Sequence, residues 1–140
     1  LNHGNEQRVL VIDPNAHMRR LIATLLDALA VRDVAEARTS EAAVPRMLHK
    51  RPDLVILDFT GDTTESVLFV HRLRRGEFGD ASTPVLALAE SGHHALLEQA
   101  WEAGIDEVIA KPLSAIEMIE RAAQLLRTRH TAPATVAAAE

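Results

Sequence analysis

The stretch R-P-D-L-V-I-L-D at residues 51–58 decides how this chain folds. Residues 54–57 within it are all aliphatic, with no alternation of apolar and polar side chains and too little length for a helix. Such a run suits a strand covered on both faces, the habit of parallel sheets. Three further runs of the same kind stand at residues 9–12, 85–88 and 108–110, and a weaker one at 31–37 fits a fifth strand near an edge.

Between these runs the period is helical. Met18, Leu21, Ile22, Leu25, Leu26 and Leu29 fall at i, i+3, i+4, i+7, i+8 and i+11, a single apolar stripe. Residues 40–50 predict a second helix, capped by Ser40 and kinked at Pro45. Residues 65–75 predict a third, ending in Arg74 and Arg75 before Gly76. Residues 93–102 predict a fourth, closed by Gly104, and residues 114–128 a fifth, with Glu117 three positions after Ser114 in a capping-box arrangement. Five strands alternating with five helices predict a doubly wound α/β domain. Residues 1–7 read as a disordered lead-in, 8–128 as the domain, and the Ala-rich residues 129–140 as a tail or the start of a linker.

Composition agrees and excludes several functions. At 140 residues there is room for one ordinary domain and a short tail, and 47% hydrophobic residues rule out whole-chain disorder. Fifteen Lys and Arg against twenty Asp and Glu give a net charge of −5, so the basic footprint of a nucleic-acid binder is missing. The aromatic residues are Phe59, Phe69, Phe78 and Trp101, with no tyrosine, too few for a base-stacking platform. Absence of cysteine excludes a disulfide scaffold, a thiolate metal site and a cysteine nucleophile. No apolar run approaches the roughly 18 residues of a membrane span, so the expected setting is the cytoplasm, without membrane contact.

In doubly wound folds the ligand site lies outside the carboxyl ends of the strands, where strand order reverses. The residues immediately following the first, third and fifth strands are Asp13, Asp58 and Lys111. The loop D-P-N-A-H at 13–17 has no glycine, which excludes a flavin or nucleotide cradle there. Two carboxylates and a lysine can hold a hard divalent cation, and one carboxylate can attack phosphorus while the lysine pairs with a phosphoryl oxygen. The plainer alternative makes Asp58 a strand-terminating acid and Lys111 its ion-pair partner, with no phosphate involved. A small α/β enzyme is not expected, because no nucleophile–base pair or cofactor loop is present.

Other candidates read as structural. His93 and His94 are adjacent and do not face one way on a helix, so they make no metal site. His17 reads as a surface helix residue and Trp101 as packing on the fourth helix. Arg19, Arg20, Arg72, Arg74 and Arg75 read as solvated faces.

The pieces R-V-L-V-I-D at 8–13, M-R-R-L-I at 18–22, R-P-D-L-V-I-L-D at 51–58, P-V-L-A-L at 84–88, A-G-I-D-E-V at 103–108 and K-P at 111–112 together resemble the receiver domains of bacterial response regulators. The resemblance implies a flavodoxin-like sheet in the order 2-1-3-4-5 and a signalling module of a two-component phosphorelay. By it, Asp58 is the phosphoacceptor, Lys111 the phosphoryl contact and Asp13 one member of an acidic pair. Asp13, Asp58 and the backbone carbonyl of Thr60 are the implied Mg²⁺ ligands. The implied partner is a sensor histidine kinase or a histidine phosphotransfer protein, and the Lys111-Pro112 bond matches one often cis in the family.

Departures from the family pattern are equally specific. Pro14 stands where a metal-touching acid is usual, so Mg²⁺ binding is expected to be weak. Ala89 replaces the hydroxyl residue that ends the fourth strand, and Val108 replaces the switch aromatic of the fifth. Glu90 is a candidate replacement ligand, against the plainer account of a solvated loop acid. A pseudo-receiver, signalling by protein binding without phosphorylation, is the alternative function. The resemblance also implies a homodimer through the fourth helix, fifth strand and fifth helix. Glu107 and Arg121 match residues that pair across such interfaces, whereas Leu97 stands where a basic residue is usual. An output domain is not expected within 140 residues, so the chain reads as a stand-alone regulator or an excised module.

Overall fold

The computed structural model describes residues 6–90 and 94–128. Five strands, β1 (Arg8–Ile12), β2 (Asp33–Ala37), β3 (Leu54–Asp58), β4 (Val85–Glu90) and β5 (Glu107–Lys111), alternate with α1 (Ala16–Asp27), α2 (Ser40–His49), α3 (Thr64–Arg74), α4 (His94–Ala103) and α5 (Ala115–Thr128). All neighbouring strands are parallel and the sheet order is β2-β1-β3-β4-β5, as expected. The weak run at 31–37 supplies β2, and it lies at one edge.

Strand alternation divides the core in two. Leu10, Ile12, Val55 and Leu57 face one side, where Met47 of α2, Phe69 and Leu73 of α3 and Ala100 of α4 cover them. Val9, Val11, Leu54 and Ile56 face the other, under Ile22 and Leu26 of α1 and Met118 and Ala122 of α5. This two-sided burial is why the strands read as unbroken aliphatic runs.

Helix ends hold some differences from expectation. Thr39, not Ser40, caps α2: its side chain accepts from the Ala42 N–H at 3.0 Å, and Ser40 is already helical and buried. The helix continues through Pro45, whose missing N–H deprives the Glu41 carbonyl of its usual partner. Ser114 does cap α5, accepting from the Glu117 N–H at 3.3 Å. Ala30 adopts φ 62° after α1, where the Ala30 N–H donates to Asp27 and the Val31 N–H to Leu26, the bonding pattern of a Schellman stop.

Two arginines expected to be solvated are structural. Arg74 donates from Nε and Nη2 to the Gly104 carbonyl (2.9 and 2.8 Å), from Nη1 to the Ala81 and Thr83 carbonyls (2.8 and 2.6 Å), and pairs with Asp106 at 2.8 Å. Gly104 sits at φ +108°, and a Cβ there would meet the Arg74 side chain at 3.0 Å. Arg19 is largely covered, pairing with Glu36 at 2.7 Å and donating to the Asp13 carbonyl at 2.6 Å. Arg72 pairs with Glu77 and lies over the Phe78 ring, itself stacked on Phe69.

His17 is on the exposed surface of α1, with Nδ1 3.1 Å from the Arg20 guanidinium, and Trp101 is 49% exposed. The expected lead-in (apart from residues 6 and 7), the expected tail, and His93 lie outside the described residues. Among the described residues no helix is long and apolar enough to cross a membrane.

Candidate functional site

The sheet reverses direction of growth at β1, so the crevice beyond the carboxyl ends of β1 and β3 is the place for a ligand. Asp13 follows β1, Asp58 is the last residue of β3 and Lys111 the last of β5. The structure brings all three together. Lys111 crosses beyond the end of β4 and places Nζ 2.8 Å from Asp58 Oδ1 and 3.4 Å from Asp13 Oδ2. Ala89, buried and small, lies in register with Ala110 beside that crossing. Burial works against the Lys111 ammonium, but the hydrogen bond and charge of Asp58, then the charge of Asp13, outweigh it and raise its pKa above the usual lysine value.

Asp13 is only 1% exposed and its carboxylate is committed. Oδ1 accepts from the Asn15 N–H at 2.8 Å, Oδ2 faces Lys111, and the Asn15 side chain caps α1 through the His17 and Met18 N–H groups. Arg19 anchors the Asp13 carbonyl on the other side. Pro14 therefore lies in a loop pinned at both flanks. Asp58 is more accessible. Thr60 Oγ1 lies 2.9 and 3.0 Å from its two oxygens, and the Ser66 hydroxyl donates to its backbone carbonyl at 3.2 Å. The Lys111-Pro112 bond is cis, as the resemblance implies.

A cleft of about 200 Å³ opens over Asp58, lined also by Pro14, Arg38, Thr60, Asp62 and Glu65. Glu90, exposed at the end of β4, is not among the residues lining it. A roomier hollow of about 290 Å³ between α2 and α3 contains neither Asp58 nor Lys111. The Thr60 hydroxyl and Arg38 are the site residues that sequence reasoning missed; only the Thr60 carbonyl was expected.

An open parallel sheet carrying acids and a lysine at its strand ends places the protein among flavodoxin-like doubly wound domains. A family model described as the response regulator receiver domain matches residues 9–123, and the chain belongs to that family. It is a receiver domain of two-component signalling. It is 31% identical over 127 residues to the transcriptional regulatory protein ResD of Bacillus subtilis (strain 168), covering 91% of this chain and 51% of ResD. It is 33% identical over 139 residues to a protein-glutamate methylesterase/protein-glutamine glutaminase of Myxococcus xanthus, covering 89% of this chain and 39% of that protein. The chain thus spans about half or less of these relatives' length. In fold it is similar to the receiver domain of NtrX from Brucella abortus, with a TM-score of 0.75 at 23% identity, covering 86% of this chain and 98% of that one.

Receiver domains typically use Mg²⁺ and interact with histidine kinases or phosphotransfer proteins. The donors here do not fit a resident divalent cation. Among the described residues no three His, Cys, Asp or Glu side chains gather to hold a metal. Pro14 contributes no oxygen from its side chain, and the Asp13 carboxylate is already engaged by an N–H and an ammonium. Lys111 Nζ lies against one oxygen of each carboxylate, Asp58 Oδ1 and Asp13 Oδ2, so a small cation demanding octahedral oxygen ligands would meet an ammonium beside both.

Proposed function

We propose that residues 8–128 form a divergent receiver domain in which Asp58 accepts a phosphoryl group from a phosphohistidine of a sensor kinase or phosphotransfer protein. The observation that carries this reading is the Lys111 ammonium 2.8 Å from the carboxylate of Asp58, which itself lines an open cleft. In the transfer, an Asp58 oxygen attacks phosphorus and the phosphorus–nitrogen bond of the donor breaks. The departing imidazole keeps the electron pair and takes its proton from solvent or from its own protein. Lys111 remains charged throughout and moves from the carboxylate to a phosphoryl oxygen, where it offsets charge that develops as the bond forms. The domain is an acceptor rather than a turnover catalyst, and its Mg²⁺ affinity is low.

The Asp58→Asn variant tests the acceptor, because an amide is no nucleophile toward phosphorus. Wild type should gain a base-labile acyl phosphate from a competent donor, and Asp58→Asn should gain none. Label that persists in the variant places the chemistry elsewhere. The pseudo-receiver remains the second reading, favoured by Pro14, Ala89 and Val108 together. Failure of wild type to take label from kinase, phosphotransfer and small-molecule donors alike selects it.

A further inference from the structure

Phosphoryl donors are anions, and the cleft over Asp58 is lined by three carboxylates: Asp58, Asp62 and Glu65. Something must counter that charge before a donor can approach. Lys111 is already divided between Asp58 and Asp13. Among the described residues the cation that lines the cleft itself is Arg38. It follows β2 directly, and the end of β2 is tied to the site because the Asp13 N–H donates to the Ala37 carbonyl at 3.0 Å. Arg38 and Pro14 thus share the flank of the cleft where a second acid is absent. Every other arginine or lysine touching the site is paired: Arg19 with Glu36, and Lys111 with both aspartates. Among the described residues Arg38 has no ion-pair or hydrogen-bond partner. Its neighbour in the cleft, Asp62, is turned to the Thr64 N–H at 3.0 Å rather than to the guanidinium.

We infer that Arg38 is a phosphoryl-binding residue that supplies the counter-charge a divalent cation would otherwise bring, so that Asp58 takes its phosphoryl group without metal. This rests on the phosphoacceptor reading and deepens it. A guanidinium suits this role because it stays charged at any working pH and presents paired donors that match two phosphoryl oxygens. The bonds made and broken are those already given for Asp58. Arg38 adds hydrogen bonds to the transferring group and neither gives nor takes a proton.

The test uses the full chain with acetyl phosphate as donor, in EDTA and in excess Mg²⁺, read by the mass of the intact protein. With this donor the phosphorus–oxygen bond breaks and acetate leaves with the electron pair. Labelling in EDTA should run at a rate close to that in Mg²⁺. Arg38→Ala should slow it roughly tenfold or more, and Arg38→Lys should recover part of the rate. A second measurement, independent of any transfer, titrates inorganic phosphate into the isotope-labelled protein in EDTA. Saturable shifts at Arg38 and Thr60 are expected, weakened roughly tenfold or more in Arg38→Ala. Labelling that demands Mg²⁺ and ignores Arg38→Ala overturns the inference and leaves Asp58 as acceptor. Absence of label with Arg38-dependent phosphate shifts overturns the metal-free transfer to Asp58 and keeps Arg38 as an anion site. Absence of both overturns the inference whole, and the kinase and phosphotransfer donors then decide the acceptor reading separately.

Discussion

Pro14 lines the cleft over Asp58, at the position where the family resemblance implies a second acid. Its loop is held by Asn15 on one flank and by the Arg19 bond to the Asp13 carbonyl on the other, so a different side chain at 14 should be presented from the same backbone. Pro14→Asp adds an anionic oxygen donor beside Asp13 and Asp58, and should tighten Mg²⁺ by roughly tenfold or more, because affinity for hard cations follows the count of charged ligands. Amide shifts during a Mg²⁺ titration of the two proteins check this, and equal affinities would mean that residue 14 does not reach the cation. Lys111 permits a second prediction at this scale. Its pKa is raised in the fold by the two aspartates, so its stabilisation is complete below the unfolded value of about 10.4 and is lost as pH climbs through the raised folded value. The difference in unfolding free energy between wild type and Lys111→Met should therefore stay flat from about pH 6 to 9 and shrink only above about 10.4. Urea unfolding across that range measures it; a difference that fades near neutrality would show that the ammonium is not what the aspartates hold.

Among the elements, the end of α3 is tied to the starts of β4 and β5 by one side chain. Arg74 satisfies the carbonyls of Gly104, Ala81 and Thr83 and meets Asp106, whose Oδ2 also accepts from the Val85 N–H at 2.8 Å. A lysine offers a single nitrogen and cannot reproduce a planar fork that serves three carbonyls. Arg74→Lys should cost about 1–3 kcal/mol, the scale of lost hydrogen bonds to a charged group. Chemical denaturation should show a lowered midpoint, and an unchanged midpoint would mean that water replaces the guanidinium freely. This tie was not legible in the sequence, because its acceptors are main-chain oxygens up to 30 positions away and carry no residue-type signal. The strands were legible, since burial on both faces leaves an uninterrupted aliphatic run that no other element needs. The start of α2 was legible only to within a residue: Thr39 and Ser40 both carry hydroxyls, and the backbone path decides which one caps.

At the scale of the molecule, the meeting of Asp13, Asp58 and Lys111 was readable because each ends or directly follows a strand and the fold alone brings strand ends together. Arg38 and the Thr60 hydroxyl were not, since their places depend on loop path and rotamer. The same separation bears on output. On the phosphoacceptor reading a signal must travel from Asp58 to another surface, and where the resemblance implies a hydroxyl and an aromatic switch stand Ala89, buried in the end of β4, and Val108, half-buried against the core. Neither can hydrogen-bond a phosphoryl oxygen or swing a ring inward. The family resemblance implies a homodimer through the face made by α4, β5 and α5, and Trp101 of α4 and Ile116 of α5 are 49% and 70% exposed. Its charged pair, Glu107 and Arg121, lies 3.5 Å apart within one chain, so a cross-interface bond would first have to replace this one. Exposed pairs contribute only about 0.2–1 kcal/mol and are screened by salt, so the apolar residues must supply most of any association. Self-association through this face should therefore weaken in Trp101→Ala, change little between low and high salt, and ignore the state of Asp58. Sedimentation with and without beryllofluoride, a phosphoryl mimic, measures the last point. A shift from monomer to dimer on adding the mimic would mean that side chains other than those at 89 and 108 couple the site to this face.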